Sequence, residues 1–185
     1  VDGESKRGAP AAELLVDLAA DAAAAGTPPT LVPLGPWTNL ADAAALDAAF
    51  AGNLAGIHAM GGALDVPGNI EAGGTTPADG VEWNLGVDPD AVAAVLALDV
   101  PVTFVPLDAT DDVPVPADIA EQLAPDHAAA GADIAYEMYV RNSFLATPGN
   151  DYWDTLTAVL LRDPAIATWE DVAVRAETLG ASAGS

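Results

Sequence analysis

A chain of 185 residues, 51% of them hydrophobic, can bury a core of its own, which excludes a disordered tail. Its 28 acidic side chains against 5 basic ones, a formal net charge of −23, would repel nucleic-acid phosphates and anionic membranes, so neither is expected as a partner. Scarce Lys and Arg beside abundant Ala, Asp and Gly read most simply as a salt-adapted, halophilic surface, with an ordinary acidic protein as the alternative. Cysteine is absent, which removes disulfides, thiolate metal sites and a Cys nucleophile from consideration. No apolar run reaches the roughly 18 residues of a membrane span, since the Ala-rich stretch Ala19–Ala25 is broken by Asp21 and closed by Gly26. With no signal peptide visible, the expected location is cytoplasmic; the start at Val1 rather than Met points to a native N-terminus that is missing.

In chain order, Leu14, Leu15, Leu18 and Ala22 recur at helical spacing, and Gly26, Thr27, Pro28 and Pro29 end the pattern, predicting a helix over residues 10–25. Thr30–Leu34 is a short apolar run closed by Gly35 and Pro36, after which Thr38 or Asn39 is a good N-cap for a helix to about Phe50. The strand signal recurs at Gly56–Met60, ended by Gly61 and Gly62, and at Val102–Leu107, ended by Asp108. Between these two, Asp88 caps and Pro89 opens a helix to about Leu98. Two further helices are expected within 116–146, another over 153–163, and a late strand over Val172–Thr178.

Continuous apolar strands alternating with helices predict a doubly wound α/β architecture, a mainly parallel sheet covered on both faces. Residues 1–185 carry no linker and read as a single, partial domain. In such sheets ligands bind beyond the C-terminal strand ends, here Leu34–Thr38, Met60–Asp88 and Asp108–Asp112.

The connection Gly61–Val87 has glycines and prolines and almost no apolar periodicity, the mark of a functional or disordered loop. It holds Gly68-Asn69 and Glu82-Trp83-Asn84, a carboxylate and two carboxamides around a large ring, groups suited to sugar hydroxyls. A turn at Asn69, a cap at Asn84 and a core-filling Trp83 account for the same residues without a ligand. Asp151 or Asp154 could open the helix that follows. A carboxylate there is held as an anion by the first-turn N–H groups and can ligate a hard cation, or can be a plain N-cap.

Five segments taken together resemble the inosine-uridine-preferring nucleoside hydrolase family. Val32–Ala41 is similar to its LGPLTNLA-type motif, and Met60-Gly61-Gly62 followed by Gly68-Asn69 to its MGG…GN segment. Glu82-Trp83-Asn84 with Asp88-Pro89 resembles its EFN or EWN motif with a following DP pair. Val105–Thr110 resembles its GLDVT strand end, and Trp153–Ala158 with Asp163-Pro164 the helix beginning HDPLA or WDPLA. Five motifs in the family's order are far more specific than one.

The resemblance implies a Rossmann-like nucleoside hydrolase fold, incomplete at the N-terminus, that cleaves the N-glycosidic bond of ribonucleosides in purine salvage with a calcium-bound water. Asp154 becomes a calcium ligand and Leu34 supplies a carbonyl, while Met60, Asn69, Glu82 and Asn84 fall on ribose-contacting positions. The family's pyrimidine-accepting branch has His where this chain has Trp153, and its purine-preferring branch has Trp. Together with Trp83 this implies purine nucleosides such as inosine. A homo-oligomer, dimer or tetramer, is implied as well. His58 is expected in a strand, and His127 on the surface; neither matches a catalytic His. Tyr136, Met138 and Tyr139 are weak candidates for a base pocket.

The family's DxDxxxDD cluster, which supplies the other calcium carboxylates and the general base, occurs nowhere in the sequence. No catalytic residue is therefore expected in this chain, calcium affinity should fall steeply, and the chain alone should be inactive. The first strands of the sheet should be missing too, leaving an apolar edge. A non-catalytic ribose or nucleoside binder, or a decayed remnant, is the alternative.

Overall fold

A computed structural model describes residues 10–72, 76–77, 81–180 and 183–184. The sheet has three parallel strands, β1 (Thr30–Leu31), β2 (Gly56–Met60) and β5 (Val102–Val105), in the order β1-β2-β5. Register runs Thr30↔Gly56 and Leu31↔Ile57 on one side of β2, and Ile57↔Val102 to Met60↔Val105 on the other. The short strands β3 (Glu71–Ala72) and β4 (Thr76–Pro77) form a separate antiparallel pair within the long connection. No helix among the described residues is long and apolar enough to cross a membrane.

Every residue of the central strand is buried, which explains its unbroken apolar run. Ile57 and Ala59 enter a core shared with α1 (Ala11–Ala24), α2 (Thr38–Leu46) and α4 (Pro89–Leu96). His58 instead donates from Nε2 to the Thr157 carbonyl of α8 (Trp153–Arg162) at 3.0 Å. Helices thus cover both faces of the sheet, as the alternating pattern predicts.

The local details depart from the sequence reading where packing overrides it. In α1 the inward stripe is Ala12, Leu15, Val16 and Ala19, not one containing Leu18, which is 45% exposed. Both stripes have helical spacing; small Ala side chains let α1 approach α2 closely, so they face inward. The second helix ends at Leu46, because Asp47 turns extended and its Oδ1 accepts the Ala49 N–H at 2.9 Å. Neither Thr38 nor Asn39 caps α2, whose N-cap is Trp37; the Thr38 hydroxyl donates to Asp88 Oδ2 at 2.5 Å instead. Val172–Thr178 is not a strand: it has no ladder partner among the described residues, and Val172 and Val174 stay 53% and 42% exposed. β-propensity records fit to a pleated, half-buried surface, and that surface is not offered here.

Asp88 is the cap that the sequence promises, its Oδ1 accepting the Ala91 N–H at 3.2 Å with Pro89 in the first turn. Its second oxygen ties α4 back to the start of α2. Replacing Asp88 by Ala should lower the unfolding free energy by about 1 kcal/mol or more, seen as a lower urea midpoint at unchanged m-value. An unchanged midpoint would refute the double role.

Candidate functional site

β2 delivers Met60 to the C-terminal rim of the sheet, and the chain leaves through Gly61 and Gly62 at φ +156° and +92°. A Cβ on Gly61 would lie 3.2 Å from Glu82 Oε2 and 3.1 Å from Leu85 Cδ2, so glycine lets the Glu82 segment settle on the backbone. Gly62 N donates to Glu82 Oε2 at 3.2 Å. The same carboxylate caps α3 (Trp83–Gly86), accepting Asn84 N at Oε1 (2.9 Å) and Leu85 N at Oε2 (3.2 Å). A carboxylate offers about four acceptor positions, so one, at Oε1, is left for a further donor.

Glu82 is only 1% exposed. Burial pushes its carboxyl above the ordinary 4.5, the three backbone N–H groups pull it back in part, and the Asp154 charge adds to the rise. Asp154, in the first turn of α8, is therefore within electrostatic reach of Glu82. Burial also raises the Asp154 carboxyl above its ordinary 3.8, although the residue as a whole is exposed.

The two asparagines complete the rim. Asn84 is buried, and its Nδ2 donates to the Met60 carbonyl at 3.3 Å and approaches Met60 Sδ at 3.1 Å, so its carbonyl oxygen is the group left for a ligand. Asn69 Oδ1 accepts the Trp83 N–H at 2.7 Å, leaving its Nδ2 to donate outward. Gly68 has to be glycine because a Cβ would collide with the Val81 backbone, whose carbonyl accepts the Asn69 N–H at 3.0 Å. The cap expected at Asn84 falls on Glu82 instead, because Asn84 lies inside α3 with its amide on Met60, and Asn69 reaches across to the Trp83 N–H; each asparagine keeps one polar group for a ligand. Trp83 does not fill the core; it is 59% exposed.

At α8, the helix begins at Trp153, so Asp154 and not Asp151 lies in the first turn. Asp151 bridges to Pro114, with Val115 N donating to Asn150 O and Tyr152 N to Val113 O, both at 2.9 Å. This backbone pairing sets where the helix starts. The Trp153 indole N–H is buried and makes no hydrogen bond of normal geometry; the group near enough to feel it is the Asp111 carboxyl. Burial raises Asp111, Trp153 lowers it, and Asp151, Asp108 and Asp112 raise it. On α8 the inward side chains are Thr157 and Leu160, whereas Val159 is 42% exposed.

Met60, Asn69, Glu82, Trp83 and Asn84 therefore form one connected group, with Asp154 coupled to it through charge and Trp153 beside Asp154 in the chain. Leu34 sits just beyond β1, 41% exposed, one residue after Pro33, whose carbonyl accepts the Met60 N–H at 3.1 Å. Of the aromatic candidates on α7 (Ala130–Arg141), Tyr139 lies near enough to Tyr152, next to Trp153, to add to the rise that burial imposes on the Tyr152 hydroxyl; Tyr136 stacks on His127 at 4.2 Å, and Met138 is 51% exposed. His127 pairs with Asp133 at 3.0 Å. A cavity of about 330 Å³ lies behind Gly61, Gly62 and Leu85, and one of about 910 Å³ along β5 and His58; neither is lined by Glu82, Asn84 or Asp154. Sequence reading missed Asp108 and Asp111 as working residues; their position at a strand's C-terminal end was the available signal.

A family model described as inosine-uridine preferring nucleoside hydrolase matches residues 2–185. The chain belongs to that family. This nucleoside hydrolase chain is 34% identical over 158 residues to the pyrimidine-specific ribonucleoside hydrolase RihA of Shewanella woodyi, covering 83% of itself and 48% of that protein. It is 30% identical over 166 residues to the probable uridine nucleosidase 2 of Arabidopsis thaliana, covering 84% and 47%. The inosine-uridine preferring nucleoside hydrolase from Bacillus anthracis superposes with a TM-score of 0.79 at 27% identity, over 96% of this chain and 56% of that one. The chain spans about half the length of the curated relatives it matches. Its α/β fold is that of nucleoside hydrolases.

Calcium takes six to eight oxygens, and the family resemblance names only two from this chain, the Asp154 carboxylate and the Leu34 carbonyl. Among the described residues no group of three or more His, Asp or Glu is arranged to hold a metal ion. The donor set present does not fit calcium by itself.

Raised carboxyls have a definite consequence for stability. Glu82, Asp154 and Asp111 all bind a proton more tightly when folded, so the stability they contribute is present below 3.8 to 4.5 and is lost as pH rises through their folded values. With a chelator present, the urea midpoint should fall as pH is raised from about 4.5 toward neutrality. Glu82→Gln should flatten that dependence and lower stability at the acid end, where an amide cannot accept all three N–H groups. A midpoint that rises over this range would contradict the assignment.

Proposed function

We propose that this chain carries the ribose-holding side of a ribonucleoside hydrolase that cleaves the N-glycosidic bond to give ribose and free base. The observation that carries the reading is the single hydrogen-bonded group Met60–Asn69–Glu82–Asn84 with Asp154 in electrostatic reach. Asn69 Nδ2, Asn84 Oδ1 and the free position on Glu82 Oε1 offer a donor and two acceptors, a set that fits the hydroxyls of a pentose. As the base departs, positive charge grows on the sugar ring, and the carboxylates of Glu82 and Asp154 with the Asn84 carbonyl stabilise it electrostatically. Removing a proton from the attacking water falls to a base outside these residues, since Glu82 is committed to three N–H groups. No step is assigned to calcium within this chain.

For the leaving base, Trp153 beside Asp154 favours purines, whose flat face stacks on indole. A pyrimidine preference is the second reading, favoured by the names of the Shewanella and Arabidopsis relatives. Hydrolysis of inosine and uridine, with calcium in high salt, should be absent for this chain and present when a DxDxxxDD segment precedes it. In that longer form Asp154→Ala should lower kcat about a hundredfold, and kcat/KM should be higher for inosine. A uridine preference would establish the second reading. Nucleoside binding without turnover in both forms would make the protein a non-catalytic binder, and turnover by the short chain would contradict the placing of the base outside it.

A further inference from the structure

Asp108 stands one residue into α5 (Leu107–Thr110), at the C-terminal end of β5, and the nucleoside reading gives it no role. Its two oxygens are both taken by consecutive backbone N–H groups: Leu64 N donates to Oδ2 at 2.8 Å and Asp65 N to Oδ1 at 2.7 Å. These are charge-assisted bonds of short, normal length, and the two-pronged arrangement fixes direction as well as distance. The donors, Leu64 and Asp65, are not part of any strand or helix. They lie in the connection that leaves β2 at Met60 and comes back as Glu82-Trp83-Asn84.

The bonds around Asp108 extend the β2–β5 pairing past the end of both strands. Gly61 N donates to Val105 O at 3.2 Å and Leu107 N to Gly62 O at 2.9 Å. Asp108 then takes over from the ladder and holds the next two N–H groups with a side chain. Only residues 66 and 67 separate this clasp from Gly68, packed against the Val81 backbone, and Asn69, which is bonded to both Val81 and Trp83. The clasp therefore shortens the unsupported chain between Met60 and Asn69 to a two-residue span, which cannot wander far.

We propose that Asp108 is a positioning residue for the ribose rim: by gripping Leu64 and Asp65 it sets where Asn69 stands relative to Glu82 and Asn84. It touches no ligand and acts only through the backbone. The proposal rests on the nucleoside reading for its purpose, but not for its geometry. Leu64 and Asp65 are exposed, so water can take over their N–H groups when the carboxylate is removed. Losing Asp108 should consequently loosen the connection while leaving the sheet core folded.

Amide hydrogen exchange followed by NMR on the ligand-free chain tests this, with Asp108→Ala, Asp108→Asn and, as a control with the same loss of charge, Asp112→Ala. In Asp108→Ala the Leu64 and Asp65 amides should exchange about tenfold faster or more, and those of Asn69 and Trp83 several-fold faster. The Ala91 amide, held by Asp88, and the β2 amides should not change. Asp108→Asn, which keeps one acceptor oxygen, should fall between, and Asp112→Ala should match the parent chain. Release of Leu64 and Asp65 with Asn69 and Trp83 unmoved would overturn the proposal, leaving Asp108 a local cap. Uniform acceleration across β2 would overturn it as well, making the residue a general stabiliser. In a form that turns over nucleosides, Asp108→Ala should lower kcat/KM about tenfold or more at unchanged thermal midpoint. Absence of turnover in the parent form would count against the nucleoside reading and leave the exchange pattern to decide on Asp108.

Discussion

One buried carboxylate organises the rim of this sheet. Glu82 is almost wholly removed from water yet carries three backbone N–H groups from two places that are distant in sequence, Gly62 after β2 and the first turn of α3. Without it those donors would have no partner, and the exit of β2 would be joined to the return of the connection there only through the Asn84 amide on the Met60 carbonyl. Gly61 and Gly62 are the complement of this arrangement. They keep the backbone low enough for the carboxylate to reach it, and Leu85 then closes over them. Asn84 is carried into place by the same cap and turns its amide onto Met60. The polar groups that remain for a ligand are those that the scaffold leaves over.

Much of this was legible in the sequence, for identifiable reasons. Strand β2 was plain because burial on both faces makes an apolar run, β5 because its β-branched and aromatic residues suit a half-buried strand, and α4 because Asp88-Pro89 is a start signal with a mechanism. The group Met60, Asn69, Glu82 and Asn84 was recognisable only as an ordered set of motifs; taken singly, the asparagines had structural explanations, and the structure gives them structural bonds of another kind, with the cap on Glu82. The end of α2, the inward stripe of α1 and the coil at Val172–Thr178 were not legible. They depend on which neighbour offers a surface, and periodicity does not carry that information. For Asp108 the sequence marked only its place at a strand's C-terminal end; its partners are backbone N–H groups, which leave no signature in side-chain sequence, so its task was not legible.

The acidity of the chain and the site pull in the same direction. Asp154, Asp111 and Glu82 are all held above their ordinary values, and Asp108, Asp112 and Asp151 add to the negative field at the same strand ends. Such a field disfavours its own ionisation until a positive charge arrives. A nucleoside hydrolase needs that condition at the sugar, where positive charge appears only as the glycosidic bond breaks. The relatives matched by this chain are about twice its length, and among the described residues no three acidic or histidine side chains are arranged to hold a metal ion. The half-site reading follows from that shortfall of oxygens.

The account stands or falls on Asp154 and Glu82 sharing one rim. Carbon-detected NMR titration of the Glu82 carboxyl in the parent chain and in Asp154→Asn measures this directly. The account predicts a Glu82 value that is raised in the parent and moves partway back toward 4.5 once the Asp154 charge is gone, burial holding the remainder. A Glu82 titration indifferent to Asp154 would separate the two carboxyls and contradict the shared site.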